Sequence, residues 1–503
     1  MKDVQLNRQQ QFKQLQQQSD FDVVILGAGI NGSCLFDRLS RLGYRVLIVD
    51  KNDFSSGTSQ ASGMMIWGGL LYLKDFDLRT VFQLSQDRDS LILEKAKALA
   101  PRVMRYLPSH EQGRARWWVH LGLWAYWLMG MGRRGIPRSA SSFSESALLK
   151  PGLNKGSLTY EEAFLDQSDA RFTYDWIAPH LASGQCALNY CQVEGSHSAA
   201  DRKWHLQVED KISGRQQEIR SAMIINCAGI WTDQVNADFH IRSPFKHVFS
   251  KGVYLGIPRA EEHRSSLFFD LGEHDDVITH VPWGPISLWG PTETTVKHIA
   301  EGLHPSKEDI DFLLDQYGRR YRTAIDRSDI ISTRCGIRPL VVDSDYQEDR
   351  YPLELSRRNE VVQDAERPWI SCYGGKLTGC TRLAERVSAL VQKSLAASGN
   401  KSVGIAPPSV PATHTMFPGL TQPVVSAVWA AEHELCCTLE DYLRRRTNIA
   451  QWVPRGGFGF ADANAPALRG IALELAIGDP VLADQLFENY RSTIKNSVDA
   501  LLC

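Results

Sequence analysis

The chain has 503 residues, more than a single hydrophobic core usually organises, so we expect two or three domains. Hydrophobic residues make up 43% of it and charged residues 23%, and the net charge is −2. These values exclude a disordered or strongly basic chain, and we expect no nucleic-acid partner.

The first twenty residues contain eight glutamines and no apolar run. We therefore predict a helical lead-in over 1–20 rather than a secretion signal. Ten cysteines occur along the chain without a Cys-x-x-Cys pair. This usage favours reduced thiols and a cytoplasmic protein over disulfides, and we predict no metal site.

The strongest local pattern is an apolar run FDVVIL at 21–26, followed by GAGING at 27–32 and a second apolar run, RVLIVD, at 45–50. This predicts a strand, a helix from about residue 32 to 42, and a parallel strand. Glycines at Gly27, Gly29 and Gly32 let the backbone approach a pyrophosphate at a helix N-terminus. Asp50 ends the second strand, where an acid binds ribose hydroxyls. We predict a dinucleotide site.

Later segments predict a second sheet and a helical end. Residues 58–66 form a polar loop, 75–100 an amphipathic helix, 186–226 strands of the first sheet, and 245–290 strands of a separate sheet. Helices follow near 306–321 and after residue 380, and a Pro-rich linker at 407–418 precedes a helical region that includes one helical stretch at 426–446. We found no internal repeat.

The stretch from Trp117 to Met131 holds four of the thirteen tryptophans and is flanked by arginines. It is too short to span a bilayer as a helix. Its nearly all-round hydrophobicity favours a helix buried between domains. The alternative is an interfacial helix, with a peripheral membrane contact through 114–134 on the inner face of the membrane.

The chain resembles the flavin-dependent glycerol-3-phosphate dehydrogenases in many stretches that occur in the same order. They are NRQQQFKQL, GAGINGS, TSQASGMMIWGGLLYL, NCAGIWTD, KG at 251–252, GIRPL, SRRNEVV, YGGKLTG and AAEHELCCTLEDYLRRRT. The resemblance implies an α/β protein with a Rossmann-like FAD-binding domain of the glutathione-reductase/D-amino-acid-oxidase type. A substrate domain with a mixed or antiparallel sheet and a C-terminal helical domain complete the expected fold.

We place the FAD-binding domain within 21–410, at about 21–100, 150–240 and 330–400. The substrate domain is interleaved at about 101–149 and 241–329, and the helical cap covers 411–503. For the FAD cofactor, the resemblance adds a set of ligand positions beyond the first glycines and Asp50. They are Thr58, Ser59, Ser62, Gly229, Gly374, Gly375, Lys376, Leu377 and Thr378. We expect a helix to open near Thr378, which could also serve only as its N-cap. A helix N-terminus there would stabilise the reduced flavin ring.

The resemblance also implies the substrate site. Arg338, Arg357 and Lys376 fall where the family places phosphate-binding or polarising cations, and Tyr72 and Trp67 line the same region. Arginine suits phosphate or carboxylate because its planar fork donates two parallel hydrogen bonds.

Four positions depart from the family pattern. Trp67 and Tyr254 stand where histidines are usual, Leu71 replaces an arginine, and Glu293 replaces an aspartate. Loss of a phosphate-binding arginine puts glycerol 3-phosphate itself in question. Tyr254, with Arg338 and Lys376, is our candidate for the catalytic group, and a tyrosine serves as base only beside a cation that lowers its pKa.

We expect an FAD-dependent dehydrogenase that moves a hydride from a secondary alcohol with an anionic group to flavin N5. Electrons would then pass to a quinone or another acceptor. Two alternatives stay open: an amine or amino-acid oxidase that uses oxygen, and a catalytically degenerate FAD-binding protein. A homodimer is also left open.

Overall fold

The structure is a computed structural model that describes residues 6–73, 76–108, 115–153, 156–181, 184–271, 277–347, 358–396 and 412–502. Its strands, in chain order, are β1 (Asp20–Leu26), β2 (Val46–Val49), β3 (Met65–Ile66), β4 (Leu99–Leu107), β5 (Arg138–Ala140), β6 (Ser157–Leu165), β7 (Cys186–Leu188), β8 (Cys191–His197), β9 (Trp204–Asp210), β10 (Gln216–Asn226), β11 (Phe245–Pro258), β12 (Ser266–Asp270), β13 (Val277–Trp283), β14 (Ile286–Gly290), β15 (Thr294–Val296), β16 (Ser332–Asp343), β17 (Glu360–Gln363), β18 (Trp369–Tyr373), β19 (His414–Thr415) and β20 (Val424–Val425).

The helices in these ranges are α1 (Leu6–Gln17), α2 (Ile30–Arg41), α3 (Leu78–Glu94), α4 (Arg116–Met129), α5 (Asp169–Tyr174), α6 (Thr232–Asp238), α7 (Ile299–Gly302), α8 (Lys307–Arg320), α9 (Cys380–Ser394), α10 (Ala427–His433), α11 (Ile449–Trp452), α12 (Ala465–Leu475), α13 (Pro480–Ile494) and α14 (Ala500–Leu502). The helical lead-in before the first strand is confirmed as α1. Phe12 and Leu15 on α1 pack into the core beside the first sheet, and Arg8 forms a buried ion pair with Asp210 at 2.6 Å.

The first sheet has the order β17-β18-β10-β1-β2-β7, with the β8–β9 hairpin attached to β10. The pairs from β18 to β7 are parallel, and α2 connects β1 to its parallel neighbour β2. The predicted βαβ unit is therefore confirmed. Phe21 and the run from Val23 to Leu26 are the apolar, buried residues of β1, as expected of a strand inside a parallel sheet covered on both faces.

The second sheet has ten strands in the order β15-β11-β14-β13-β12-β4-β6-β3, with β16 paired to β11 and β5 to β6. It includes β3, β6 and β16, which lie in ranges that we gave to the FAD-binding part; the domain boundaries themselves stay a prediction. The alternation of apolar and polar residues predicts a strand but does not identify its partner. The long pairing of β11 with β16 forms one wall of the candidate site.

The C-terminal helices enclose a hydrophobic cluster of their own. Our single helical stretch at 426–446 is wrong in part, because α10 ends at His433 and Leu435 has a positive φ of 51° before helical structure resumes at Leu439. A buried ion pair holds this region to the loop after β2, with Asp53 2.8 Å from Arg446. Residues 407–411 of the predicted linker lie outside the described residues.

Helix α4 contradicts our expectation of a buried aromatic segment. It packs one face inward through Leu123 and Tyr126. Its other face is apolar and open to solvent; Trp117 is 69% exposed and Leu128 63%. The hydrophobicity of a segment predicts that it is shielded from water, but it does not show what shields it. Within the described ranges, no helix is both long and apolar enough to cross a membrane.

Candidate FAD and substrate site

The turn between β1 and α2 is built around two glycines. Gly27 has a φ of 100°, and a Cβ there would lie 2.6 Å from the carbonyl oxygen of Cys227, which directly follows the neighbouring strand β10. Gly32 packs against the carbonyl of Gly27, so that α2 begins close to the strand ends. The Ser59 hydroxyl accepts a hydrogen bond of 2.9 Å from the N–H of Ile30. The loop at 58–60 thus lies against the helix N-terminus.

Asp50 occupies the position expected of a ribose-binding acid. Its Oδ2 accepts a hydrogen bond of 2.8 Å from the N–H of Ala28, and its Oδ1 one of 3.0 Å from the N–H of Asn52. Burial raises the pKa of Asp50 to about 6, and the two N–H donors only partly oppose this effect. A hydroxyl donor at this carboxylate would favour its ionised form.

These groups line a cavity of about 720 Å³ at the ends of the first sheet's strands. A cavity of this size suits a large cofactor. Six of the predicted ligand positions line it, namely Gly27, Gly29, Asp50, Thr58, Ser59 and Gly229. A dinucleotide needs glycines that let its pyrophosphate approach the backbone, a carboxylate for its ribose and a helix N-terminus for its negative charge. The cavity provides all three, so the residues fit FAD.

The cavity also contains residues that sequence reasoning missed. Lys51 lies 3.9 Å from the ring centre of Trp231, and both line the cavity with Gln234 and a segment at 191–195. Burial lowers the pKa of Lys51. Lys51 could have been found from the sequence, because it directly follows Asp50 and the same strand end places both residues at the cavity.

Ser62 lies outside the walls of this cavity. Its N–H donates to Asp169 Oδ2 at 2.7 Å, and the same oxygen pairs with Arg334 at 2.7 Å. The Ser62 hydroxyl accepts a hydrogen bond from the N–H of Met64 at 3.1 Å. The buried Asp169–Arg334 pair, which we did not predict, therefore fixes the loop at 61–64.

The turn at 374–378 also lies outside the walls of the 720 Å³ cavity. Gly374 has a φ of 65°, and a Cβ there would lie 2.6 Å from the carbonyl oxygen of Arg358. Gly375 follows with a φ of 115°, and Leu377 packs against the main core. Only glycine adopts this backbone without strain in so small a space.

A helix opens near Thr378, as we expected, but Thr378 is not its N-cap. Helix α9 begins at Cys380, and Gly379 is its N-cap. The Thr378 hydroxyl instead donates to the carbonyl of Trp67 at 3.0 Å and accepts from the N–H of Trp67 at 2.9 Å. These two bonds tie the turn to the segment that carries the candidate substrate residues.

The segment at 67–72 brings three of these residues together. The Lys376 ammonium donates a hydrogen bond to the Tyr72 hydroxyl and lies 4.2 Å from the centre of that ring. The rings of Trp67 and Tyr72 are 5.8 Å apart. The Lys376 cation and the two aromatic rings give this part of the site both positive charge and apolar surface.

Arg338 lies on β16, opposite Ser250 of β11. Its guanidinium is 2.9 Å from Glu293 Oε2, and it donates to the Ser250 hydroxyl at 3.2 Å. The Ser250 hydroxyl in turn donates to Glu293. The charge of Arg338 is thus partly compensated within the protein. Arg357, the third predicted cation, lies outside the described residues.

Tyr254 does not have the properties of a base at neutral pH. Its hydroxyl lies against Gly63, and its side chain is buried. Burial raises the pKa of the phenol, and the charge of Arg338 does not overcome this effect. We predicted a base only if a cation lowered this pKa; the direction of the shift disfavours that role, which stays a prediction. Among the described residues, no cluster of His, Cys, Asp and Glu is arranged to hold a metal.

The three parts of the site meet at described contacts. The Tyr254 hydroxyl reaches Gly63 of the loop at 61–64, and Gly374 lies against Val341 of β16. Together with the bonds between Thr378 and Trp67, these contacts place the turn at 374–378, the segment at 61–72 and the β11–β16 wall around one region.

Residues 22–378 match the family model described as DAO: FAD dependent oxidoreductase. The chain belongs to this family. It is an FAD-dependent oxidoreductase with the predicted fold.

Relatives include the aerobic glycerol-3-phosphate dehydrogenases of Staphylococcus aureus strains USA300 and NCTC 8325 / PS 47. Each is 27% identical to this chain over 384 residues, which are 75% of this chain and 68% of the relative.

Solved structures show the same fold. A glycerol-3-phosphate dehydrogenase from Bacillus halodurans complexed with FAD has a TM-score of 0.71 at 19% identity and covers 99% of both chains. An L-α-glycerophosphate oxidase from Mycoplasma pneumoniae with FAD bound has a TM-score of 0.56 at 15% identity, covering 74% of this chain and 95% of its own.

Proposed function

We propose that this chain is a dehydrogenase for a secondary alcohol that carries an anionic group, glycerol 3-phosphate or a related compound. The observation that supports this most directly is the Lys376 ammonium of the turn at 374–378, which lies over the Tyr72 ring next to Trp67. The matched relatives are named for glycerol-3-phosphate dehydrogenase activity. When bound, FAD supplies the two-electron acceptor for the substrate's C–H bond.

The described residues bind and orient this substrate by charge and shape. Lys376 attracts the anionic end, and Trp67 and Tyr72 exclude water from the carbon skeleton. Arg338 is already paired with Glu293 and therefore attracts an added anion less strongly. A singly charged or bulkier substrate fits this wall better than the phosphate dianion does.

The state of Tyr254 favours a second candidate, an amine or amino-acid oxidase. An alcohol must lose its hydroxyl proton to a base, whereas an amine bound in its neutral form needs no strong base. Because burial raises the pKa of Tyr254, its phenol stays protonated at neutral pH. The oxidase would pass electrons to oxygen and release hydrogen peroxide.

The test is anaerobic reduction of the purified FAD-loaded protein, followed by loss of the visible flavin absorption. Glycerol 3-phosphate is compared with other phosphorylated alcohols, hydroxy acids and amines. Reduction by an alcohol, with dye or quinone reduction in air and no peroxide, supports the dehydrogenase. Reduction only by amines, with peroxide in air, supports the oxidase. If no compound bleaches the bound flavin, the chain is a catalytically degenerate FAD-binding protein.

We further propose that the chain works on the inner face of a membrane and passes electrons to a membrane quinone. Support comes from the outer face of α4, where Trp117, Trp118, Leu121 and Leu128 are exposed side by side. Arg133 is also exposed near the end of this helix. Tryptophan and arginine suit the headgroup layer of anionic lipids. Free thiols at the nine described cysteines agree with a cytoplasmic setting.

Vesicle flotation tests this contact. We expect the protein to float with vesicles that contain phosphatidylglycerol, and the double variant W117S/L121S to lose most of this binding. Phe460→Ser is the matched control, since Phe460 is 71% exposed on the C-terminal region. Equal flotation of all three proteins, or of none, would contradict the proposal.

A further inference from the structure

Two side chains from different parts of the fold hold the backbone of Gly374, one at its N–H and one at its carbonyl. Its N–H donates a hydrogen bond of 3.1 Å to Nε2 of His247 on β11. Its carbonyl accepts one of 3.0 Å from the Asn31 amide in the first turn of α2. Neither residue was among the predicted site residues. Together they join the second sheet and the βαβ unit at this turn.

The surroundings of His247 fix its ring and its tautomer. The side chain is fully buried, and its ring centre lies 5.0 Å from that of Tyr373 and 6.2 Å from that of Phe249. Because Nε2 accepts a hydrogen bond from the N–H of Gly374, the ring's own proton must be on Nδ1. That nitrogen lies 3.6 Å from Asp233 Oδ2. The imidazole is therefore oriented as an acceptor toward the turn.

We propose that His247 and Asn31 are positioning residues that hold the turn at 374–378 in its flavin-competent conformation. Gly374 and Gly375 both have positive φ values, and such a backbone has many alternative conformations when it is not held. Hydrogen bonds to the N–H and to the carbonyl of Gly374 select one of these conformations. The turn then presents its backbone to the cofactor without reorganisation on binding. This role concerns FAD and does not depend on which substrate the enzyme oxidises.

The test compares two substitutions of His247. Phenylalanine keeps an aromatic ring beside Tyr373 but removes the acceptor, whereas glutamine can place Oε1 near the position of Nε2. Loss of an acceptor for a buried N–H predicts about tenfold weaker FAD binding by H247F. We expect H247Q to stay within about threefold of the wild type. Phe249→Leu is the control, because Phe249 contacts the His247 ring but makes no described hydrogen bond to Gly374.

The measurements are the FAD dissociation constant, the midpoint potential of the bound flavin and the melting temperature of the apoprotein. We expect H247F to weaken FAD binding and lower the midpoint potential, and H247Q to restore both. If both variants lose melting temperature equally while the dissociation constant and potential stay at wild-type values, His247 is merely structural and the proposal fails.

Asn31→Ala provides a second route should H247F not fold. We expect N31A to weaken FAD binding several-fold and, where H247F folds, the double variant H247F/N31A to show that the two residues act on one turn. Once one end of the peptide is released, loss of the other end should cost less than it does alone. Independent, additive effects on the FAD dissociation constant of N31A and H247F would contradict a shared clamp.

Discussion

Replacement of Asp50 by asparagine tests how the strand-end acid serves the cofactor. Both carboxylate oxygens of Asp50 already accept backbone N–H groups, from Ala28 and from Asn52. Asparagine has only one side-chain oxygen, so in the variant one of these N–H groups faces an amide NH₂. In the FAD-bound protein we expect a ribose hydroxyl to donate to this same carboxylate. The variant therefore loses a charge-assisted bond as well as a local one.

The size of the effect follows from the pKa of Asp50. Burial raises it from 3.8 to about 6 in the protein without FAD. This difference corresponds to about 3 kcal/mol between the two protonation states, an upper value because the side chain retains some exposure. Since the folded-state pKa lies above the ordinary one, its contribution to stability is fully present below about pH 4 and is lost as the pH rises through 6. A ribose donor that returns the pKa to about 4 makes FAD binding about tenfold weaker at pH 5 than at pH 7.

Titration of the apoprotein with FAD, followed by flavin fluorescence between pH 5 and pH 7.5, measures this dependence. The wild type should lose about tenfold in affinity toward pH 5. D50N should bind FAD more weakly at pH 7 and show a flat profile. A flat wild-type profile, or the same slope in both proteins, would refute the reasoning. Melting temperatures of both apoproteins at each pH serve as the control for folding.

Three further outcomes follow from single contacts. Gly27→Ala should purify without FAD, visible as absent flavin absorption, because its Cβ would lie 2.6 Å from the Cys227 carbonyl. Tyr254→Phe should leave the pH profile of kcat unchanged; an abolished kcat would restore the phenol as base. Asp53→Ala should destabilise the fold by about 3–5 kcal/mol, measured by urea unfolding, since it leaves Arg446 buried without its partner. Burial opposes ionisation of Asp53, but Arg446 holds its pKa below the ordinary value. The destabilisation should therefore shrink as pH falls through that depressed pKa.

The βαβ unit could be predicted because its signals are local. The apolar runs, the glycines and Asp50 lie within thirty residues, and each has one conformation that suits it. The membership of β6 and β16 in the second sheet could not be predicted in the same way. Their partners lie far along the chain, and strand patterning is the same in either sheet.

His247 and Asn31 were missed for a related reason. His247 lies 127 residues from Gly374 in sequence, and a single histidine in an apolar strand is most often a packed core residue. Asn31 stands inside the recognised GAGING motif, but the motif assigns meaning only to its glycines. Both residues are identified by what they contact in the folded protein. A composition or spacing pattern carries no such information.

The ion pair between Arg338 and Glu293 affects what the residues that depart from the family pattern mean for the substrate. Leu71 stands where the resemblance implies an arginine, and the Arg338 guanidinium is 2.9 Å from the Glu293 carboxylate, which also accepts a hydrogen bond from Ser250. The absence of that arginine lowers the positive potential that a dianion would meet, and the ion pair with Glu293 keeps Arg338 from making up for it. Bound anions are stabilised by nearby cations only to the extent that those cations are not already compensated. The candidate substrate site then selects by shape beside Trp67 and by a modest positive charge at Lys376. We therefore expect glycerol 3-phosphate to reduce the flavin less readily than a related compound with less charge.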